Sequence, residues 1–380
     1  MISKCILIHY HEIGLKGDNR PWFEKIFINN VKIQLNKLPY TKIQIKAARI
    51  LVLDVNPSQF LEYHENLKNV MGLKNAYLMS IVKLDEESIN QEVQKQITAE
   101  NDFNTFRIST KRQDKNFHLT SQDINKIIGE KVVKSFSKRV DLIKPDLNMI
   151  IELVNGKAYI GYKKIEGYGG LPTGTGEKAL SLISSGIDSP VASFSLLKRG
   201  VDIHYIHFNS VPATSRQSIN NVRKILLQLS KYQIQANLYN ISLLEIQQKI
   251  MENSPDKYWI ILFRKAMYSI SNLLADKLNI YALITGENIG QVASQTISNI
   301  RVTSESVKIP ILRPLAGMNK EEIINIAIQI GTYDTSIEPY EDCCSFFVPL
   351  HPATSANIDK VRDIESSLKL NSLYDKLISN

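Results

Sequence analysis

Leu180-Ser-Leu-Ile-Ser-Ser-Gly-Ile-Asp-Ser-Pro-Val-Ala192 passes from an apolar run, through a Ser/Gly turn, into the start of a helix. A first helical turn presents backbone N–H groups that lack intrahelical partners, together with the positive end of the helix dipole. Where small residues surround such a turn, a phosphate can reach the main chain. Ser184, Ser185 and Ser189 can add hydroxyl donors. Asp188 repels phosphate, so it fits a magnesium ligand or an orienting group instead. Taken alone, the stretch is equally an ordinary strand–helix turn with a serine cap.

Its surroundings weigh on the choice. Downstream, strand and helix patterns alternate. Strands are expected at Ala179–Ile183, Asp202–Phe208, Gln235–Ile241, Ile280–Thr285 and Lys308–Leu312. Helices are expected near Pro190–Lys198, Gln217–Tyr232, Trp259–Lys277 and Lys320–Gly331. This alternation predicts a parallel sheet covered on both faces. Immediately upstream, Gly167–Gly176 packs five glycines and one proline into ten residues. Such a run reads as a joint between domains.

Before the joint, two α+β units are expected. The first has a strand at Ile2–Tyr10, a helix at Pro21–Leu38 and a strand over residues 42–55, ending near Pro57. The second has helices at Leu61–Met71, Ser88–Glu100 and Ser121–Phe136, with strands at Ala76–Leu84 and Phe103–Lys111. It closes with a hairpin, Asn148–Val154 and Ala158–Lys163, turning at Asn155-Gly156. Asn-Gly is the strongest short hairpin signal because both residues tolerate positive φ. The predicted division is therefore 1–57, 58–166 and 167–380.

The chain of 380 residues carries a net charge of +8, unevenly placed. Residues 1–176 hold 26 Lys/Arg against 19 Asp/Glu, and residues 177–380 hold 20 against 19. A polyanion would meet mainly the first half. No apolar stretch approaches the ~20 residues of a membrane span, and no secretory leader is evident. The three cysteines, Cys5, Cys343 and Cys344, form no disulfide framework and no C-x-x-C metal pair, which suits a reducing cytoplasm. Cys5 lies in an apolar strand and is expected in the core.

The opening stretch resembles the PP-loop, S-G-G-x-D-S, of ATP pyrophosphatases that split ATP into AMP and pyrophosphate. It departs at Ser185, where that pattern has glycine. If the position needs φ > 0, serine costs about 1 kcal/mol or more. Further segments extend the likeness: Tyr10-His-Glu-Ile-Gly-Leu-Lys-Gly-Asp-Asn-Arg20, Gly170-Leu-Pro-Thr-Gly-Thr-Gly-Glu-Lys-Ala179, His207-Phe-Asn-Ser210, Thr285-Gly-Glu-Asn-Ile-Gly-Gln-Val-Ala-Ser-Gln-Thr296, Pro310-Ile-Leu-Arg-Pro-Leu315 and Tyr340-Glu-Asp-Cys-Cys-Ser-Phe-Phe-Val-Pro349. In this order they resemble the tRNA 4-thiouridine synthetase family, also called ThiI, over essentially the whole chain.

The resemblance implies an α/β and α+β multidomain protein. Its parts would be an N-terminal ferredoxin-like domain, a THUMP domain that binds tRNA and a Rossmann-like PP-loop domain. It implies ATP and Mg²⁺ as cofactors. Leu182, Ile183, Ser184, Ser185, Gly186, Ser189, His207, Phe208, Arg264, Gly286 and Gln295 would hold ATP, and Asp188 would serve the chemistry. From residue type alone, Phe208 is as readily a core aromatic and His207 a satisfied interior histidine. For tRNA, Lys16, Arg20, Arg107, Lys111 and Arg112 are the candidates, by shape rather than base identity. His9 and His11 stand where the family usually has Arg and Gly.

The same likeness puts an essential cysteine in the Cys343-Cys344 segment, with Cys344 favoured as the sulfur carrier. It implies tRNA uridine 8 as substrate, a separate cysteine desulfurase as donor, and a homodimer as compatible. Many relatives carry an added rhodanese domain with its own persulfide cysteine. With Asn380 so soon after the pair, the short form is expected, which leaves the thiamine role of some relatives in doubt. Two alternatives stay open: a tRNA-binding protein with a disabled loop, and a PP-loop ligase acting on a small metabolite.

Overall fold

The computed structural model describes residues 3–100, 102–341, 347 and 351–379. The chain divides into two compact units, residues 1–172 and 173–380.

The first unit runs β1 (Ser3–Tyr10), α1 (Arg20–Gln34), β2 (Lys42–Lys46), β3 (Arg49–Leu53), α2 (Phe60–Leu67), β4 (Leu73–Lys83), α3 (Glu86–Ala99), β5 (Thr105–Arg112), α4 (Ser121–Phe136), β6 (Arg139–Val140), β7 (Leu147–Val154), β8 (Lys157–Gly161) and β9 (Lys164–Glu166). All nine strands join one sheet, ordered β2-β3-β1-β4-β8-β7-β5-β6, with β9 pairing to β4. β4 pairs with β1 on one side and β8 on the other, so the stretches before and after residue 57 share this sheet.

The sequence reading treats 42–55 as one strand, and the structure corrects it to a hairpin. Ala47 and Ala48 turn the chain with φ of +47° and +63°. Alanine gives no turn signal, and the conformation carries a left-handed cost that the β2–β3 ladder must offset. Asn155-Gly156 behaves as predicted, with φ of +47° and +70°. Side-chain caps set helix starts that the sequence made legible. Asp85 accepts from Ser88 N at 2.7 Å, and Thr120 and Asp123 form a reciprocal capping box.

The odd-numbered residues of β1 share a sheet face with Glu152 of β7. Glu152 is fully buried. His9 Nε2 lies 2.8 Å from its Oε1, Arg49 pairs with its other oxygen, and Lys111 Nζ lies 3.3 Å away. Burial pushes this carboxyl's pKa up, but His9 and Arg49 outweigh that and bring it down to about 2. The stabilisation it supplies is therefore present above the ordinary carboxylate range and is lost as pH falls toward 2. His9, unusual in its motif, thus has a defined partner inside the sheet.

The second unit runs β10 (Lys178–Leu182), α5 (Asp188–Leu197), β11 (Asp202–Asn209), α6 (Gln217–Leu229), β12 (Leu238–Ser242), α7 (Leu244–Asn253), α8 (Trp259–Leu278), β13 (Ala282–Ile284), α9 (Ile297–Ser304), β14 (Ile311–Leu312), α10 (Lys320–Gln329), α11 (Tyr333–Ser336), α12 (Ile358–Leu368) and α13 (Asn371–Ser379). Its five strands are all parallel, ordered β12-β11-β10-β13-β14. Helices α5, α6, α10 and α11 pack together on one side, and α7, α8, α9, α12 and α13 on the other. The strand order reverses at β10, between β11 and β13. In open parallel sheets ligands bind in the crevice beyond the carboxyl ends at such a reversal.

Candidate active site

The phosphate-loop stretch leaves β10 at that reversal. Ile183 N donates to Ile206 O at 2.9 Å, holding the strand end beside β11. Two serine hydroxyls then shape the turn. Ser189 Oγ accepts from Ser184 N at 2.8 Å, and Gly186 N donates to Ser184 Oγ at 3.3 Å. α5 begins at Asp188 directly after the turn.

Ser185 corrects two expectations. Its side chain is 1% exposed, its Oγ has no partner, and it is not among the residues lining the cavity described below. It is therefore not placed as a hydroxyl donor there. Nor does it carry the feared strain, because its φ is not positive. Serine fits this position without a left-handed penalty, so relief of strain is no reason for glycine here.

Beside the loop opens a cavity of about 640 Å³. Leu182, Ile183, Ser184, Gly186, Asp188 and Ser189 form one wall. His207 and Phe208 come from the end of β11, and Gly286 from just beyond β13. Arg264, Met267 and Tyr268 come from α8, and Gln295 from a single 3₁₀ turn before α9. Every nucleotide contact that the resemblance implies, Ser185 excepted, thus faces one space. His207 is buried, and its Nδ1 donates to Ile183 O at 2.9 Å, which fixes the ring against the loop.

Gly286 is needed for approach rather than for conformation. A Cβ there would lie 2.7 Å from Ser189 N and 2.9 Å from Ser189 Cα. The end of β13 therefore presses on the first turn of α5.

Several residues were not singled out from the sequence. Lys320, at the start of α10, donates to Asp188 Oδ1 at 2.6 Å, and Gln291 donates to Oδ2 at 3.0 Å. Asn319 and Glu322 form the capping box that fixes the helix start carrying Lys320. Glu287 is buried between two arginines, 2.9 Å from Arg264 Nη2 and 2.6 Å from Arg313 Nε. Burial raises its pKa, yet the two guanidiniums prevail and hold it below the usual carboxylate range. Glu287 thus stays ionised and steadies Arg264, which also donates to Ser294 Oγ at 2.9 Å. Arg313 lies within the Pro310–Leu315 motif, which was the available signal.

Strand alternation separates the basic candidates on β5. Successive residues point to opposite sheet faces, so Arg107 and Lys111 share one face and Arg112 takes the other. Arg107 and Lys111 are exposed. Arg112 Nη1 instead donates to the carbonyls of Phe117 and Leu119, both at 2.9 Å, and holds the loop before α4. Arg20 is likewise engaged, with Glu24 at 2.8 Å and with the Tyr10 hydroxyl. Lys16 Nζ lies over the Phe23 ring, 4.8 Å from its centroid.

Cys343 and Cys344 lie outside the described residues. The chain leading to them is anchored at the loop. Ser336 Oγ donates to Gly186 O at 3.4 Å, Lys224 pairs with Glu338 at 2.9 Å, and Ser215 N donates to Glu341 Oε2 at 3.0 Å. Cys5 is fully buried, and burial pushes its thiol up to about 12.

With this geometry in hand, the sequence profile described as "Thiamine biosynthesis protein (ThiI)" matches residues 174–370. That of the ThiI ferredoxin-like domain matches residues 5–76, and that of the THUMP domain residues 83–163. The chain belongs to the ThiI family. It is 39% identical to a probable tRNA sulfurtransferase of Thermoanaerobacter sp. (strain X514), covering 100% of this chain and 98% of that protein. A probable tRNA sulfurtransferase of Acetivibrio thermocellus is 37% identical with the same coverage. Among solved structures, a 4-thiouridine synthetase in complex with RNA and bound ATP superposes with a TM-score of 0.88. It is 34% identical and covers 100% of this chain and 98% of that one. The first unit thus carries the ferredoxin-like and THUMP domains of a ThiI protein, and the second its PP-loop domain.

Proposed function

We propose that this protein is an ATP-dependent tRNA sulfurtransferase that makes 4-thiouridine. The observation that carries the reading is one cavity joining an anion-receptive helix start to an aromatic chamber, in a ThiI-family chain that also carries a THUMP domain. The loop backbone from Ser184 to Ser189 receives the phosphates, and Phe208 and Tyr268 flank the base. Arg264 and Gln295 complete the nucleotide contacts, and Lys320 supplies the cation beside the phosphates.

In the reaction, O4 of the tRNA uridine attacks the α-phosphate and pyrophosphate leaves. The product is an adenylated base whose oxygen now departs easily as AMP. The terminal sulfur of the cysteine persulfide then attacks C4 and AMP leaves, a thiol cleaves the resulting S–S bond to free the 4-thiouridine, and an external thiol reduces the disulfide left behind. The resemblance puts the target at uridine 8, a base that must leave its stack to enter the cavity. We assign Cys344 as the sulfur carrier and a separate cysteine desulfurase as the donor. No described helix is long and apolar enough to cross a membrane, and we place the protein in the cytoplasm.

Magnesium fits this donor set. Among the described residues no cluster of three His, Cys, Asp or Glu side chains stands together, and Glu287 is already neutralised by its arginines. Mg²⁺ is commonly held by one or two carboxylates plus substrate phosphates, so Asp188 would be its protein ligand here. When bound, it would neutralise charge on the leaving pyrophosphate. Lys320, which donates to Asp188 Oδ1 at 2.6 Å, would stand beside the ion as a second positive charge for the phosphates.

Two predictions test the reading. Asp188→Asn should lower thiolation by at least about a hundredfold, through loss of the carboxylate that would hold Mg²⁺ against the phosphates. The tRNA affinity should be unchanged, because no proposed RNA contact is touched, and the melting point should barely move, since an exposed ion pair is worth ~0–1 kcal/mol. Pyrophosphate release with tRNA and a tRNA-binding isotherm measure both, and normal turnover would remove Asp188 from the mechanism. Neutralising Arg107 and Lys111 together should weaken tRNA binding. It should also flatten the log–log salt dependence by about 0.7–0.9 for each phosphate left without its cation. Arg112 is left intact because it is half-buried and holds two carbonyls of its own loop, whereas the exposed Arg107 holds one, Leu142 O at 2.9 Å. An unchanged slope puts the RNA elsewhere.

The bland alternative, a tRNA binder with a disabled loop, loses its main support once Ser185 sits without positive φ. A small-metabolite ligase gives no use for the THUMP domain, and tRNA-dependent pyrophosphate release separates the two.

A further inference from the structure

Tyr340 belongs to the segment that leads to the cysteine pair, yet it lines the nucleotide cavity with the phosphate loop. A Cβ built on Gly186 would lie 3.3 Å from the Tyr340 hydroxyl, so that hydroxyl stands against the Cα of the loop glycine. Ser336 grips the same glycine by its carbonyl, at 3.4 Å. Among the described residues, the neighbouring acids Glu338 and Glu341 point elsewhere. Glu338 goes to Lys224 and, at 3.4 Å, to Gln217 Nε2, and Glu341 takes the Ser215 N–H. Carboxylates turned toward a phosphate would repel it, and these two instead fasten the segment at the base of α6. Among the described residues of this stretch, Tyr340 is the side chain that lines the cavity. Because Ser336, Glu338 and Glu341 hold the segment, the placement of Tyr340 does not rest on its hydroxyl alone.

We infer that the Tyr340 hydroxyl donates a hydrogen bond to a nucleotide phosphate at Gly186, and so ties ATP binding to the stretch 336–341. A phenol is a suitable group here. It is neutral at working pH, so it adds no repulsion, and it offers one O–H donor to an anionic acceptor. This rests on the cavity being the ATP site.

The test compares the full protein with Tyr340→Phe, which keeps the ring and removes the donor. A non-hydrolysable ATP analogue should bind the variant about tenfold more weakly, the loss typical of a hydrogen bond to a charged group. Adenosine, which has no phosphate, should bind both proteins alike, and so should tRNA. Equal analogue binding by the two proteins overturns the inference. Parallel loss of adenosine and analogue also overturns it, since the ring would then be serving the shape of the pocket. If the unsubstituted protein binds neither compound, the nucleotide reading itself falls and takes the inference with it.

Discussion

Gly286→Ala is expected to abolish ATP-dependent chemistry while leaving tRNA binding intact. The added methyl would stand 2.7 Å from Ser189 N, 2.9 Å from the Asp188 carbonyl carbon and 2.9 Å from Ser189 Cα. All three are backbone atoms of the first turn of α5, so no side chain can swing aside. Either the end of β13 or the start of α5 must move. Overpacking of this kind costs about 1–3 kcal/mol, which a domain of this size should survive. The functional cost is larger. The same turn presents the N–H groups proposed to receive the phosphates, and a displacement near 1 Å at reacting groups can cost about a hundredfold. Pyrophosphate release with tRNA should therefore fall by at least that factor. Circular dichroism should remain that of a folded protein, and the tRNA isotherm should superpose on that of the unsubstituted protein. Activity within twofold of normal would mean that the loop does not depend on this approach.

The reason Gly286 matters could not be read from the sequence, although the residue itself was singled out. Resemblance marked it as a nucleotide contact, and only the crossing of β13 and α5 shows the steric cause. Elements with local signals were legible. β10 and β11 are apolar runs, and α4 begins at a Thr120/Asp123 box and spans the predicted residues. The β7–β8 hairpin turns at Asn155-Gly156. Elements without local signals were not. The β2–β3 turn uses two alanines, and α7 starts at Leu244 with no side-chain cap. Pairings between distant segments were also hidden. Nothing in the spacing links Asp188 to Lys320 or Glu287 to Arg313, because these contacts come from the order of the parallel strands. Arg112 differs from Arg107 and Lys111 for a local reason: residues on a strand alternate faces, and on β5 the face of Arg107 and Lys111 leaves its cations exposed while Arg112 is half-buried.

Cys344→Ser is expected to block 4-thiouridine formation without impairing the activation step. The phosphate loop accounts for adenylation of the uridine but supplies no sulfur. Cys5 is fully buried, and its thiol is pushed up to about 12, far from the thiolate needed for sulfur transfer. That leaves Cys343 and Cys344, at the end of a segment fastened to the loop glycine by Ser336 and to α6 by Glu338. Serine is close to cysteine in size, so packing should change little, but a hydroxyl cannot carry sulfane sulfur. Pyrophosphate release should persist in Cys344→Ser, since ATP and uridine meet at the loop. Cys343→Ser should retain part of the thiolation activity, because the resemblance favours its neighbour as carrier. Incubation with a cysteine desulfurase and ³⁵S-labelled cysteine should place label on the unsubstituted protein and on Cys343→Ser, and none on Cys344→Ser. Full thiolation by the double serine variant, with free sulfide excluded, would show that sulfur passes straight from the donor protein to the activated uridine. The fastened segment would then have to serve some other end than sulfur delivery.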